Sequence, residues 1–226
     1  MNTIKEFYDQ NPFPGEYTWA QLMDVSYPPT NRYLRVIDKH LSHHQTVLDV
    51  GCGTGLITNL FATRYQSRFV GVDFSRGIDI AEQFARINRI DNVEYHKEDF
   101  YHFYPRDQFD VVIAQSFLTH VTDPLTAVNK LKMHTKPGGT LIFSVYNPAG
   151  QFLKKICNFN YNNTRLELDQ KHNPLDNVYS DENVRFNFND WELQEVMPSI
   201  NNRLVRLSAF LNSQNGGLTV YVYRNN

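Results

Sequence analysis

The sequence predicts an α/β protein: a mostly parallel sheet covered by helices on both faces. Three observations predict it. Stretches suited to strands recur at 46–50, 68–72, 93–96, 109–114 and 140–145. Several are near-continuous apolar runs, as in strands buried on both faces. Helical spacing lies between most of them, which is the alternation that builds parallel sheets. Finally, a turn rich in glycine, Gly51-Cys52-Gly53-Thr54-Gly55, joins the first strand to a helix. In such sheets ligands bind outside the carboxyl ends of the strands, where that turn sits.

The chain begins with Thr3–Gln10, which can form one or two helical turns. Two prolines and a glycine in Asn11-Pro12-Phe13-Pro14-Gly15 then stop regular structure. The aromatics Phe7, Tyr8, Phe13, Tyr17 and Trp19 are dense for a loop. They either staple an arm onto the core or lie over a ligand mouth, with Tyr8, Tyr17 or Thr18 touching the ligand. Asn31–Leu41 reads as a helix, with Tyr33, Leu34, Ile37 and Leu41 on one stripe. His40, His43 and His44 near its end read as solvated side chains.

Strand one is Thr46–Val50, and its helix runs from Gly55 to Tyr65 with Leu56, Ile57, Leu60 and Phe61 on one face. Strand two is Arg68–Val72, and Asp73 closes it. An acidic residue about twenty positions past a glycine turn is the expected ribose ligand. A helix follows over Arg76–Asn88; Ser75 can cap it, which leaves Asp73 free. Strand three is Val93–His96 and strand four is Phe109–Ala114. Asp123 caps and Pro124 starts the next helix, whose buried face is Leu125, Val128 and Leu131. Lys136-Pro137-Gly138-Gly139 turns into strand five, Thr140–Val145. Ala149–Cys157 can form a short helix, while Asn158–Asp181 has poor periodicity. Asn189 then caps a helix over 190–198, and Arg203–Phe210 and Leu218–Tyr223 form a hairpin through a turn at 212–217.

Composition narrows the function. The chain has 226 residues, 41% hydrophobic, with a net charge of −2. That supports one globular domain and argues against nucleic acid and anionic membranes as partners. Its two cysteines, Cys52 and Cys157, form no paired motif, so no metal site is expected. No stretch approaches the roughly 20 apolar residues of a membrane span, and no leader is visible, so the expected compartment is the cytoplasm.

The glycine turn is the sharpest signal. It lacks the third glycine of the dinucleotide fingerprint, because Leu56 stands there. Asp49 lies two residues before Gly51; its carboxylate opposes a pyrophosphate and suits a cationic ligand without phosphates. The order Val47-Leu48-Asp49-Val50-Gly51-Cys52-Gly53-Thr54-Gly55 resembles the first motif of class I S-adenosylmethionine-dependent methyltransferases. Leu131 through Leu141, with Lys136-Pro137-Gly138-Gly139, resembles a second segment of that family. The arm Tyr8-x-x-Asn11-Pro12-Phe13-Pro14-Gly15 is similar to one in some bacterial methyltransferase-like sequences.

The resemblance implies a Rossmann-like three-layer sandwich. Its seven-stranded, mostly parallel sheet has the order 3-2-1-4-5-7-6 and a terminal antiparallel hairpin. It implies S-adenosylmethionine as cofactor, held by Asp49, Gly51, Cys52, Gly53, Asp73, Phe74, Asp99, Phe100 and Gln115, with Tyr8 and Tyr17 from the arm. Asp99, or its neighbour Glu98, and the Phe100 N–H would meet the adenine; Gln115 and Phe117 would approach the adenosine and the sulfonium. One domain is expected over 1–226: an arm and helix at 1–45, the cofactor-binding core at 46–145, a lid or acceptor-recognition insertion at 146–188, and a terminal helix and hairpin at 189–226. His120 and Tyr146 are the catalytic candidates, His120 because its ordinary pKa suits a general base. The leading function is methyl transfer to a small-molecule acceptor. The alternatives are an RNA or protein acceptor and a non-catalytic binding module. A nicotinamide oxidoreductase shares the fold class, but Leu56 and Asp49 count against it.

Overall fold

The computed structural model describes residues 3–26, 32–146, 181–197 and 218–226. Seven strands carry the sheet: β1 (Thr46–Val50), β2 (Arg68–Asp73), β3 (Val93–Lys97), β4 (Phe109–Ala114), β5 (Thr135–Tyr146), β6 (Glu192–Met197) and β7 (Leu218–Arg224). They hydrogen-bond in the order β3-β2-β1-β4-β5-β7-β6, as the resemblance implies. The first five run parallel; β7 is antiparallel to both β5 and β6.

Helices α1 (Thr3–Gln10), α2 (Trp19–Ser26) and α3 (Arg32–His40) precede the sheet. Further on come α4 (Leu56–Ala62), α5 (Gly77–Ile87), α6 (Pro124–His134) and α7 (Asp181–Asn187). Strand side chains alternate between the two faces. Val47, Phe69, Val111 and Ile113 pack with Leu34, Ile37, Leu60, Phe61 and Phe84 from α3, α4 and α5. Leu48, Val70, Val112 and Phe143 pack on the other face with Val128 and Leu131 of α6 and with Phe188 and Trp191. The stripe Tyr33, Leu34, Ile37 and Leu41 is buried as its spacing predicts.

Several elements differ from the sequence reading. The helix expected at 190–198 is strand β6. Its pairing skips Gln194, where a bulge breaks the alternation that would have marked a strand. Asn189 and Asp190 lie in a turn instead of at a helix start. Helix α2 was not expected, yet its signal was present. The Thr18 Oγ1 accepts from the Gln21 N–H at 3.3 Å, and Gln21 Oε1 accepts from the Thr18 N–H at 2.8 Å. This is a capping box, with Thr18 as the cap. On α6 Leu125 is 59% exposed, and the buried stripe is Ala127, Val128, Leu131 and His134. Lys136–Gly139 is a register shift inside β5 rather than a separate turn, with Gly138 at φ +74°. The helix after β1 is shorter than expected, Leu56–Ala62. The expected helix at 149–157, the strand at 203–210 and the turn at 212–217 lie outside the described residues, as does most of the 146–188 insertion. Of that insertion, Tyr146 ends β5 and α7 covers 181–187.

One side chain joins the α4–β2 turn to β3. Asn92 Nδ2 lies 3.1 Å from the carbonyls of Ala62 and Tyr65 and 2.9 Å from that of Ser67. Asn92→Ala is expected to cost about 1–3 kcal/mol, because it leaves helix-end and loop carbonyls without their donor. Urea denaturation of the two proteins checks this; an unchanged midpoint would show that water replaces the amide.

Candidate functional site

The turn after β1 is folded back onto β2. The Gly51 and Cys52 N–H groups donate to the Val72 carbonyl at 2.8 and 3.3 Å. Gly51, Gly53 and Gly55 adopt φ of +70°, +55° and +72°, a region that side chains disfavour. Gly53 N–H donates to Asp73 Oδ2 at 2.9 Å, and Ser75 N–H donates to Asp73 Oδ1 at 2.8 Å. Asp73 is therefore not left free by Ser75, contrary to the sequence reading. Two turn N–H groups need acceptors there, and the carboxylate supplies both. Ser75 Oγ accepts from Gly77 at 3.2 Å, while the residue capping α5 is Arg76. Each Asp73 oxygen has a further lone-pair direction for a ribose hydroxyl.

Asp49 follows Val47 by two along β1, so it points towards the α3–α5 side. It is 2% exposed, and Thr58 Oγ1 donates to its Oδ2 at 2.7 Å. Burial pushes its pKa up to about 7; the Thr58 hydroxyl opposes the shift, and the negative Asp73 adds to it. Burial likewise pushes the Cys52 thiol well up, so Cys52 is a packing sulfur beside Gly71 rather than a nucleophile.

The arm reaches this turn from outside. The Phe13 carbonyl accepts from Thr54 N–H at 2.9 Å. Tyr17 donates its hydroxyl to the Thr54 carbonyl at 3.1 Å and accepts from Asn59 Nδ2 at 2.9 Å. Tyr95 donates to Asn59 Oδ1 at 2.8 Å, and the Tyr17 ring lies 4.4 Å from that of Phe84. Tyr17 thus anchors the arm and the glycine turn together, which is the stapling alternative. Tyr8 lies elsewhere: its ring is 5.9 Å from His120, and His120 is 6.5 Å from Tyr146. Three separate sequence candidates, from α1, the turn after β4 and the end of β5, meet there.

Beyond β3, Asp99 caps a single 3-10 turn, its Oδ1 accepting from Tyr101 N–H at 3.0 Å. Phe74 is half-buried after β2, and Glu98 is exposed, its N–H on the Asp73 carbonyl. Phe100 is buried, and its ring meets Phe117 edge-on at 5.3 Å. Phe117 packs so close to Gly51 that a Cβ there would lie 3.0 Å from its ring. Phe117 therefore links the glycine turn to Phe100. Gln115, half-buried, follows β4 directly. Its neighbour Ser116 has φ +55°, an uncommon conformation for a non-glycine, held by its N–H on Ser144 Oγ at 2.8 Å. Sequence reading gave neither Ser116 nor Ser144 a role, because nothing local marks either side chain.

A cleft of about 830 Å³ lies at the opposite end of the strands, lined by Thr46, Arg68, Phe109 and Lys136 among others. Of the residues above, Glu98 alone lines it. Among the described residues, no group of His, Cys, Asp and Glu is arranged to hold a metal, and no helix is long and apolar enough to cross a membrane.

A family model described as a methyltransferase domain matches residues 41–199. The chain belongs to this family. Membership brings S-adenosylmethionine with it as the cofactor of the domain, in agreement with the sequence resemblance. The site's own chemistry fits. Asp49, Asp73 and Asp99 stand around a glycine turn, and residues 46–63 hold no lysine or arginine to receive a phosphate. A ribosomal protein L11 methyltransferase of Neisseria meningitidis (serogroup A / serotype 4A, strain DSM 15465 / Z2491) is 35% identical over 124 residues, 53% of this chain and 38% of that protein. A ubiquinone biosynthesis O-methyltransferase of Neisseria meningitidis (serogroup C, strain 053442) is 35% identical over 125 residues, half of each chain. The matched region thus spans half or less of these curated relatives. Two solved structures share the fold. The N-methyltransferase NodS of Bradyrhizobium japonicum WM9, in complex with S-adenosyl-L-homocysteine, has a TM-score of 0.66 at 16% identity, covering 98% of both chains. The [4+2]-cyclase SpnF has a TM-score of 0.67 at 16% identity, covering 99% of this chain and 95% of its own.

Gly53 tests how tightly the arm and the turn of this methyltransferase domain are joined. A Cβ at Gly53 would lie 2.2 Å from the Phe13 carbonyl oxygen, and φ is +55°. Gly53→Ala is expected to cost about 1–3 kcal/mol from the backbone conformation alone. It should also detach the arm, seen as faster limited proteolysis near Phe13. Wild-type cleavage and stability would show that the turn accommodates the methyl group.

Proposed function

We propose that this chain transfers a methyl group from S-adenosylmethionine to a small-molecule acceptor. The observation that carries the reading is the set of carboxylates Asp49, Asp73 and Asp99 around a turn without basic residues. Such a site suits a cationic nucleoside and repels a pyrophosphate. Asp73 holds the ribose, Asp99 and the Phe100 N–H meet the adenine, and Gly51, Cys52 and Gly53 let backbone approach the ligand. Phe74 and Gln115 flank the nucleoside. Asp49 acts electrostatically from beneath the turn, since it is buried against Thr58.

S-adenosylmethionine supplies a methyl that is already electrophilic. The protein's share is alignment of the acceptor, which can carry much of the rate. Tyr8, His120 and Tyr146 form the wall beyond the sulfur. His120 is placed there to take a proton from an acceptor that must lose one. The relative named for ubiquinone biosynthesis supports a small acceptor. The relative named for ribosomal protein L11 favours one second reading, a protein acceptor. Transfer of a labelled methyl separates them: label in small-molecule extracts supports the first, label in precipitated protein the second. Two cysteines without a paired motif fit a reducing compartment, which supports the cytoplasm as the site of the reaction.

Calorimetry with S-adenosylhomocysteine tests the site. Asp73→Ala should weaken binding by about tenfold to a hundredfold, because charge-assisted bonds to the ribose and to Gly53 both go. Wild-type affinity in that variant would remove Asp73 from the site. Asp49 should make binding depend on pH. Its carboxyl is held up to about 7 in the free protein, and S-adenosylmethionine, the cationic ligand to be used for the pH series, favours the charged form. Binding should therefore release a proton below about pH 7, tighten as pH rises towards 7, and level off above it. The same shift means that Asp49 favours the ligand-free fold at low pH and loses that contribution as pH rises through about 7. Asp49→Asn should flatten the binding profile; a profile unchanged in that variant would assign the titration to another group.

A further inference from the structure

We propose that Asp9 is a positioning residue for the cofactor, fastening α1 as a strap across the site. This rests on the cofactor lying over the glycine turn and Asp73. The Asp9 Oδ1 accepts from the backbone N–H of Arg76 at 2.8 Å, and its Oδ2 pairs with Lys5 one helical turn earlier. Arg76 follows Asp73-Phe74-Ser75 and caps α5. Its N–H lies at a helix N-terminus, where a carboxylate is favoured. One end of α1 is thereby tied to the loop that holds the ribose.

Neighbouring residues touch the other two loops. Tyr8, beside Asp9, sets its ring 5.9 Å from His120 in the turn after β4. Phe13 places its carbonyl 2.9 Å from the Thr54 N–H in the turn after β1. Strands β2, β1 and β4 are adjacent in the sheet. A segment that meets the loops after all three must cross the carboxyl edge above β1. That is where the glycine turn presents its backbone to the ligand. The cofactor therefore lies under residues 8–13, and its exchange requires them to lift. Asp9 holds the β2 side of the strap. The Phe13 carbonyl and the Tyr17 hydroxyl hold the β1 side. Neither Asp9 nor Lys5 belongs to the glycine motif or to the acidic strand ends, so motif reading passes over both.

The test measures S-adenosylhomocysteine dissociation by stopped flow and amide hydrogen exchange over residues 3–10. Asp9→Ala should speed dissociation about tenfold, the effect of losing one charge-assisted hydrogen bond. Asp9→Asn keeps an oxygen for the Arg76 N–H and should stay within about threefold of wild type. A purely structural role for Asp9 would lower the stability of Asp9→Ala and leave its dissociation rate unchanged. In the unmodified chain, bound S-adenosylhomocysteine should slow exchange across α1. Wild-type dissociation from Asp9→Ala, or equal exchange in α1 with and without ligand, overturns the proposal. Asp73→Ala serves as the control for the site itself. If Asp73→Ala binds normally, the placement of the cofactor is at fault; if it binds weakly while Asp9→Ala is unchanged, only the strap is.

Discussion

The bond from Gly53 N–H to the Asp73 carboxylate is the contact on which the site's arrangement depends. It ties the turn after β1 to the end of β2, joining two loops from neighbouring strands. The Val72 carbonyl reinforces it by accepting from Gly51 and Cys52. With the turn held in this way, Thr54 presents its N–H outward to Phe13 and its carbonyl to Tyr17. The arm can dock only because the turn is already folded back. The cost is three residues at positive φ, which glycine alone carries without strain.

Beneath the turn the chain accepts a second cost. Asp49 is a carboxyl placed where strand and helix close on each other, with one hydroxyl as its hydrogen-bond partner in a site too dry to favour charge. An apolar residue there would pack without this penalty. A positive charge brought near the carboxylate would offset that desolvation. Around it lie the polar groups Thr58, Asn59, Tyr17 and Tyr95, which bond the turn to α4, α5 and β3. The glycine turn is therefore supported from behind by hydrogen bonds, while the rings of Tyr8, His120 and Tyr146 gather where α1 meets the ends of β4 and β5.

Much of this was legible beforehand. Strand β1, the acidic residue closing β2 and the parallel sheet follow from apolar runs and their spacing, while the strand order is what the family resemblance implies. Local chemistry marks such features: a buried parallel strand needs continuous apolar residues, and a tight turn needs glycine. The missed elements had weak or ambiguous local signals. Strand β6 reads as a helix start because its bulge at Gln194 breaks the two-residue period, and pairing with β7 decides its form. Leu125 matched a helical stripe yet faces solvent, since the sheet meets α6 along Ala127, Val128 and Leu131. The capping box of α2 was visible as Thr18-x-x-Gln21 but short enough to pass as loop.

The sequence by itself determined the sheet class, the glycine turn and the acidic residues at the ends of β1 and β2, because each is a local requirement of backbone geometry or charge. Only the tertiary structure decided what the arm does. Nothing local to Tyr8 or Tyr17 distinguishes them, for both are tyrosines in a sequence dense with aromatics. Their roles diverge because Tyr17 meets the buried Asn59 behind the turn, whereas Tyr8 is carried by α1 towards His120. Such contacts join residues more than thirty positions apart. They exist only once the sheet has brought β2, β1 and β4 side by side.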